Sequence, residues 1–223
     1  MTDDDGRVVR VRNEGFASNS YVVRTATAGR CLIVDPGLDT GAMEAALARL
    51  GLVPDAVFVT HGHFDHLAGA EPLRRAFGVP VHYHAADERV AKGSNLLMMA
   101  LKIPERMTVP ETHVALDEGV AWDRDGVRVE VLHVPGHTPG SCALLVDDIA
   151  FTGDTLYRDD VFLVRLPEQD RDGLVASIRR LWDRLPDTTH VFPGHGGAGQ
   201  LGAIKERNLP LRRLLGLDEA RAS

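Results

Sequence analysis

Thr60-His61-Gly62-His63-Phe64-Asp65-His66 sets three imidazoles and a carboxylate side by side, directly after the apolar run Ala56 to Thr60. Neutral imidazoles and a carboxylate so close together gain most when a divalent cation sits between them. The stretch reads as a metal site delivered by the end of a buried strand. Four ligands in one loop need others from elsewhere if they are to serve more than one ion.

Upstream, Arg7 to Asn13, Ser20 to Thr25 and Arg30 to Asp35 are short runs rich in β-branched residues, separated by turn residues. They predict an antiparallel meander. Asp35-Pro36-Gly37 closes the third run, and Thr40 or Asp39 caps a helix over 41–50 with Met43, Leu47 and Leu50 on one face. Downstream, 67–77 predicts a helix and 79–84 a strand, completing a βαβ unit. His82 and His84 share one face of that strand and read as structural or supporting residues, not ligands. Residues 87–112 interrupt the pattern as a cap or insertion. Its stripe Leu96-Leu97-Met98-Met99-Ala100-Leu101 suits core packing first, then a substrate pocket or a homodimer contact. His113, after the stripe, reads as surface.

A second meander starts at 120–123 and 127–134, joined by the hairpin signal Arg124-Asp125-Gly126, and continues through 141–146 and 149–153. An amphipathic helix over 172–185 and a strand over 189–192 follow. Two meander-plus-helix halves predict two sheets packed face to face with helices outside. The chain of 223 residues is expected to form one domain, 1–223.

A formal net charge of −7 disfavours nucleic acid and anionic membranes, and points to a small-molecule substrate. The acidic N-terminus has no apolar leader and no run approaches the ~20 apolar residues of a membrane span, so a cytoplasmic protein is expected. Cys31 and Cys142 lie in β-like apolar runs and read as buried free thiols.

Three more polar residues follow apolar strands on Gly-flanked loops: His137 in Pro135-Gly136-His137-Thr138-Pro139-Gly140, Asp154 in Thr152-Gly153-Asp154-Thr155, and His195 in Pro193-Gly194-His195-Gly196. With the opening cluster they make seven N/O ligands, enough for two ions. By contrast, Gly197-Ala198-Gly199-Gln200-Leu201-Gly202 has the spacing of a dinucleotide loop but no room for the second parallel strand, and reads as a turn.

These motifs, with Val34-Asp35-Pro36-Gly37 before them, resemble those of the metallo-β-lactamase-fold superfamily, most closely its glyoxalase II (hydroxyacylglutathione hydrolase) branch in single-domain form. The resemblance implies a four-layer αββα sandwich of two mixed β-sheets flanked by helices. It implies that His61, His63 and His137 hold one metal, Asp65, His66 and His195 the other, and that Asp154 bridges them. Two Zn2+ ions are expected, with Fe or Mn the alternatives. A metal-bound hydroxide would then attack a thioester, ester or lactone carbonyl of a small acyl substrate, with Asp65 and Asp154 at the reacting centre. Asp35 is a candidate partner for a ligand imidazole or a turn residue.

The resemblance is thinnest over 157–165, where Tyr157, Arg158 and Arg165 are candidate substrate-binding residues. The alternative on the same fold is a mononuclear iron persulfide dioxygenase using His61, His63 and His137 or Asp154. The related oxygen-reducing diiron branch has Glu at the second position of the opening motif, where this chain has His63, and the resemblance on that point favours hydrolysis over redox chemistry.

Overall fold

The computed structural model describes residues 6–13, 16–111, 114–124, 126–163 and 166–217. His113, Asp125 of the hairpin turn and Arg165 lie outside them. Strands β1 (Val8–Arg12), β2 (Asn19–Arg24) and β3 (Arg30–Val34) pair antiparallel. β4 (Val53–Phe58), β5 (Val81–Tyr83) and β6 (Val114–Ala115) extend the same sheet in parallel. The second sheet runs antiparallel from β7 (Gly119–Arg124) through β8 (Val127–His133) and β9 (Cys142–Val146) to β10 (Ile149–Gly153). Parallel β11 (His190–Pro193) and antiparallel β12 (Gly199–Gln200) complete it.

Side chains alternate across each strand, so one strand serves two cores. Tyr21, Leu32, Val34 and Phe58 point between the sheets, meeting Val129, Val131, Leu144 and Phe151 of the second sheet. Val22, Ile33 and Val57 point the other way, onto α1 (Thr40–Leu50), α3 (Ala70–Phe77) and α4 (Glu88–Ala100). On the far side Ala143, Leu145 and Ala150 pack against α5 (Arg171–Arg184), α6 (Leu201–Arg207) and α7 (Leu209–Leu214). Helix, sheet, sheet, helix is the layer order that the two-meander pattern predicts. Asp39 caps α1 by accepting from the Gly41 amide. Among the described residues no helix is long and apolar enough to cross a membrane.

Two expectations need correcting. The helix predicted over 67–77 is divided into α2 (Phe64–Leu67) and α3, because Gly69 sits against the carbonyls of Pro36 and Gly37 and its amide donates to Gly37 O at 2.7 Å. The stripe in α4 is split as well: Met98 is fully buried, whereas Leu96 and Met99 are exposed. Cys31 and Cys142 are buried free thiols, as expected.

His82 is a core residue. Its ring stacks on Phe58 with centroids 4.5 Å apart and meets Trp122 edge-on, while neither nitrogen has a hydrogen-bond partner among the described residues. Burial, then the Arg124 guanidinium lying over Trp122, lowers its pKa from 6.5 to about 4. The unfolded imidazole therefore takes up a proton near pH 6.5 and the folded one only near pH 4, so stability falls as pH drops through that window. His82→Phe keeps the stacking surface and removes both nitrogens. Urea denaturation should show this variant retaining roughly 2 kcal/mol that the wild type loses between pH 7.5 and 5. Equal losses in the two proteins would exclude His82 as the source.

Candidate metal centre

β3 and β4 are parallel neighbours, as are β10 and β11, and β8 runs in the direction of β10. Their C-terminal ends therefore open at one edge of the sandwich. The loops after β4, β8, β10 and β11 carry, in turn, His61 to His66, His137, Asp154 and His195. All seven predicted side chains meet there, and six of the seven residues are buried.

Three overlapping groups have the spacing to hold a metal ion: His61, His63 and His137; His61, His66 and Asp154; Asp65, His66 and His195. The facing atoms stand at the separations of atoms sharing an ion. His63 Nδ1 is 3.0 Å from His137 Nε2. Asp154 Oδ2 is 3.5 Å from His137 Nε2 and from His195 Nε2, and 4.0 Å from His61 Nε2. Asp154 Oδ1 is 3.5 Å from His66 Nε2, and Asp65 Oδ2 is 3.2 Å from His195 Nε2. Ligand atoms about 2.0–2.1 Å from a tetrahedral ion lie roughly 3.4 Å from one another. His61 Nε2, His66 Nε2 and Asp154 Oδ1 are buried with no hydrogen-bond partner among the described residues. Such orphans are expensive unless a ligand satisfies them, so the donor set fits a metal ion.

The charges agree. Burial and the surrounding imidazoles hold His61 well below the ordinary histidine pKa, leaving it neutral and able to ligate. Burial also disfavours charge on His66 and His195, but Asp65 and Asp154 outweigh it, raising His66 well above the ordinary value and His195 to about 10. The two carboxylates call for positive charge between them, and a divalent cation supplies it in place of those protons.

Outer contacts decide which nitrogen four of the five ligand rings turn inward, His137 Nδ1 having no partner among the described residues. A carboxylate or carbonyl only accepts, so each ring nitrogen facing one must donate. His66 Nδ1 donates to Asp35 at 2.9 Å and His195 Nδ1 to the Ala17 carbonyl at 2.8 Å. His63 Nε2 donates to Glu168 at 3.0 Å. Thr60 Oγ1 donates to Asp35 and so accepts from His61 Nδ1 at 3.1 Å. Asp35 serves as both turn residue and ring partner. It adopts φ 49°, a conformation unusual outside glycine, and also accepts from the Thr60 amide at 2.7 Å.

Gly194 is needed for close approach: a Cβ there would lie 2.2 Å from Asp154 Oδ1 and 2.6 Å from His66 Cε1. Tyr157 is buried beside Asp154, and burial, then the Asp154 charge, raises its pKa well above 10. Arg158 turns elsewhere, pairing with Asp159 at 2.6 Å and donating to the Ala198 carbonyl.

Two residues of this site carry no motif. Glu168 is one. The other is Asp87, fully buried, which accepts from the Gly62 amide at 2.7 Å, the Thr138 hydroxyl at 2.7 Å and the Gly140 amide at 2.6 Å. It thereby ties the loop of the opening motif to the loop of His137. Their partners are distant in sequence, so only the fold reveals them.

The sequence profile of the Metallo-beta-lactamase superfamily matches residues 13–195. Hydroxyacylglutathione hydrolase GloC of Haemophilus influenzae is 30% identical over 184 residues, covering 79% of this chain and 84% of its own. The crystal structure of TTHA1623 in a di-iron-bound form superposes with a TM-score of 0.80 at 34% identity, over 91% of this chain and 98% of that one. ETHE1 from Myxococcus xanthus has a TM-score of 0.74 at 23% identity, over 94% and 84%, a likeness of fold.

Asp87→Asn keeps the size of the anchor but replaces one acceptor oxygen by a donor that faces either the Gly140 amide or the Gly62 amide and Thr138 hydroxyl. The expected cost is roughly 2 to 3 kcal/mol, read as a Tm lowered by about 5 to 10 °C. An unchanged Tm would show that Asp87 does not hold the two loops together.

Proposed function

We propose that this chain, which belongs to the metallo-β-lactamase superfamily, is a binuclear metal-dependent hydrolase that cleaves a thioester, with an ester or lactone as the nearest variant. His61, His63 and His137 would hold one ion and Asp65, His66 and His195 the other. The observation that carries this reading is the reach of Asp154. One of its carboxylate oxygens faces His61, His137 and His195, while the other faces His66, so a single side chain spans both groups. A mononuclear site would leave the inward atoms of Asp65, His66 and His195 without a task.

Imidazole and carboxylate donors without thiolate suit zinc, iron or manganese, and zinc is the metal proposed. When bound, such ions make water more acidic and oppose the negative charge that builds on a carbonyl oxygen during attack. The chain's own residues orient the reaction. Asp65, whose Oδ2 faces His66 Nε2 and His195 Nε2, would accept a hydrogen bond from the attacking water and so aim its lone pair at the carbonyl carbon. Tyr157, kept neutral by burial and by Asp154, would offer a hydroxyl hydrogen bond at the same floor. Glu168 and Asp35 would keep His63 and His66 in their ligating orientation. The similarity to a hydroxyacylglutathione hydrolase supports a thioester as the bond cleaved.

Metal analysis with parallel assays tests the proposal. Two ions per chain and thioester turnover are expected. Asp154→Ala should lower metal content and reduce kcat/KM by roughly 100-fold or more, since it removes a ligand and not merely the support of one. Full turnover by that variant would sink the two-ion mechanism. One iron per chain with oxygen uptake on a persulfide would replace it by the dioxygenase reading.

A further inference from the structure

A cavity of about 770 Å³ opens between α4 and residues 166–168 and reaches His63 of the metal centre. Its volume is that of a pocket that buries a small organic ligand. The walls are mainly apolar: Val90, Leu97 and Ala100 of α4, with Leu166 and Pro167 opposite. Leu96, 68% exposed, stands at its rim. Among the described residues the charged side chains in the lining are Arg89 and Glu168, and Glu168 already bonds to His63. A peptide thiol with two carboxylates and an ammonium would find few partners among these described side chains. An alkyl chain would find walls that suit it.

Gly93 sharpens the point. It lies in the interior of α4, where glycine is less favourable than any residue but proline. Its φ is not in the left-handed region, and an added Cβ would meet nothing within 4 Å. Neither backbone conformation nor packing calls for a glycine. A larger side chain at this position would stand in the cavity, on the same helical face as Val90, Leu97 and Ala100.

We infer that this cavity receives the acyl half of the substrate and that this half is an extended apolar chain, with the thiol half left on the open side of the metal centre. The inference rests on the hydrolase reading for the position of the scissile carbonyl beside His63. Continuity between the cavity and the metal centre argues for a substrate occupant over a second copy of the chain.

The test is titration of the metal-loaded protein and its Gly93→Leu variant with the S-octyl and S-methyl thioethers of N-acetylcysteamine, which cannot be hydrolysed at that bond. The wild type should bind the octyl probe at least tenfold more tightly than the methyl probe, given about fourfold per buried methylene. Gly93→Leu should lose most of that preference, keep its affinity for the methyl probe and melt no lower than the wild type. Equal affinity of the wild type for both probes, or an undiminished preference in the folded variant, would overturn the inference. Turnover of octanoyl and acetyl thioesters of N-acetylcysteamine separates the two claims. Cleavage of both without a chain-length preference would keep the hydrolase and overturn the pocket. No cleavage, with the probe preference present and lost in Gly93→Leu, would keep the pocket and overturn the hydrolase. Light scattering reads the competing occupant: a wild-type dimer lost in Gly93→Leu, with octyl affinity unchanged, would assign this face to a second copy.

Discussion

An imidazole has two nitrogens, and this centre depends on which of them each ring turns inward. At three of the five rings the choice is made outside the site, by groups that only accept: Asp35 for His66, Glu168 for His63, and the Ala17 carbonyl for His195. Each fixes one nitrogen as a donor and turns the other toward its neighbours, where a metal ion would take its lone pair. For His61 the same result comes in two steps, because Asp35 takes the Thr60 hydroxyl proton and the hydroxyl then accepts from the ring. The bonds to Asp35 and Glu168 are charge-assisted, which strengthens their hold on the rings.

That arrangement needs two sheets held in fixed relation, since the ligands come from both. The Cys142 amide donates to the Thr60 carbonyl at 2.8 Å, joining the start of β9 to the loop of the opening motif. On the other side the first sheet grips the His195 loop: Asn19 donates to the carbonyls of Pro193 and Gly196, and the Tyr21 hydroxyl to Pro193. These bonds span more than 170 residues of chain. The two bonds to Pro193 are buried and shielded from competing water, which makes a shift of one ligand loop against another costly.

Much of this was legible in the sequence because it is periodic or local. Alternation gave the strands their two faces, and ligand residues grouped after apolar runs marked the strand ends that converge. What stayed hidden depends on contacts between distant segments. Asp87 and Glu168 look like ordinary surface acids until their partners, up to 105 residues away, are brought against them. The break between α2 and α3 arises in the same way, since Gly69 answers to the carbonyls of the loop after β3. Tyr157 and Arg158 are neighbours in a stretch without clear patterning, and backbone direction alone sends the phenol to Asp154 and the guanidinium to Asp159.

The segment that breaks the sheet pattern has two tasks, carried by adjoining positions. Asp87 bonds to the two ligand loops, and α4 begins at the next position and forms one wall of the cavity. The wall is thus registered to the metal centre through this carboxylate and through the Ser94 hydroxyl, which donates to the Gly62 carbonyl at 3.2 Å. Ala91 and Met98 anchor the helix in the core, while Val90, Gly93 and Leu97 face the cavity. Substitutions on the cavity face can reshape the pocket without moving a ligand, because no metal-centre residue bonds to those side chains. A change at Asp87 displaces both loops and wall together. Reaction and selectivity are therefore separable on α4 and inseparable at its first anchor.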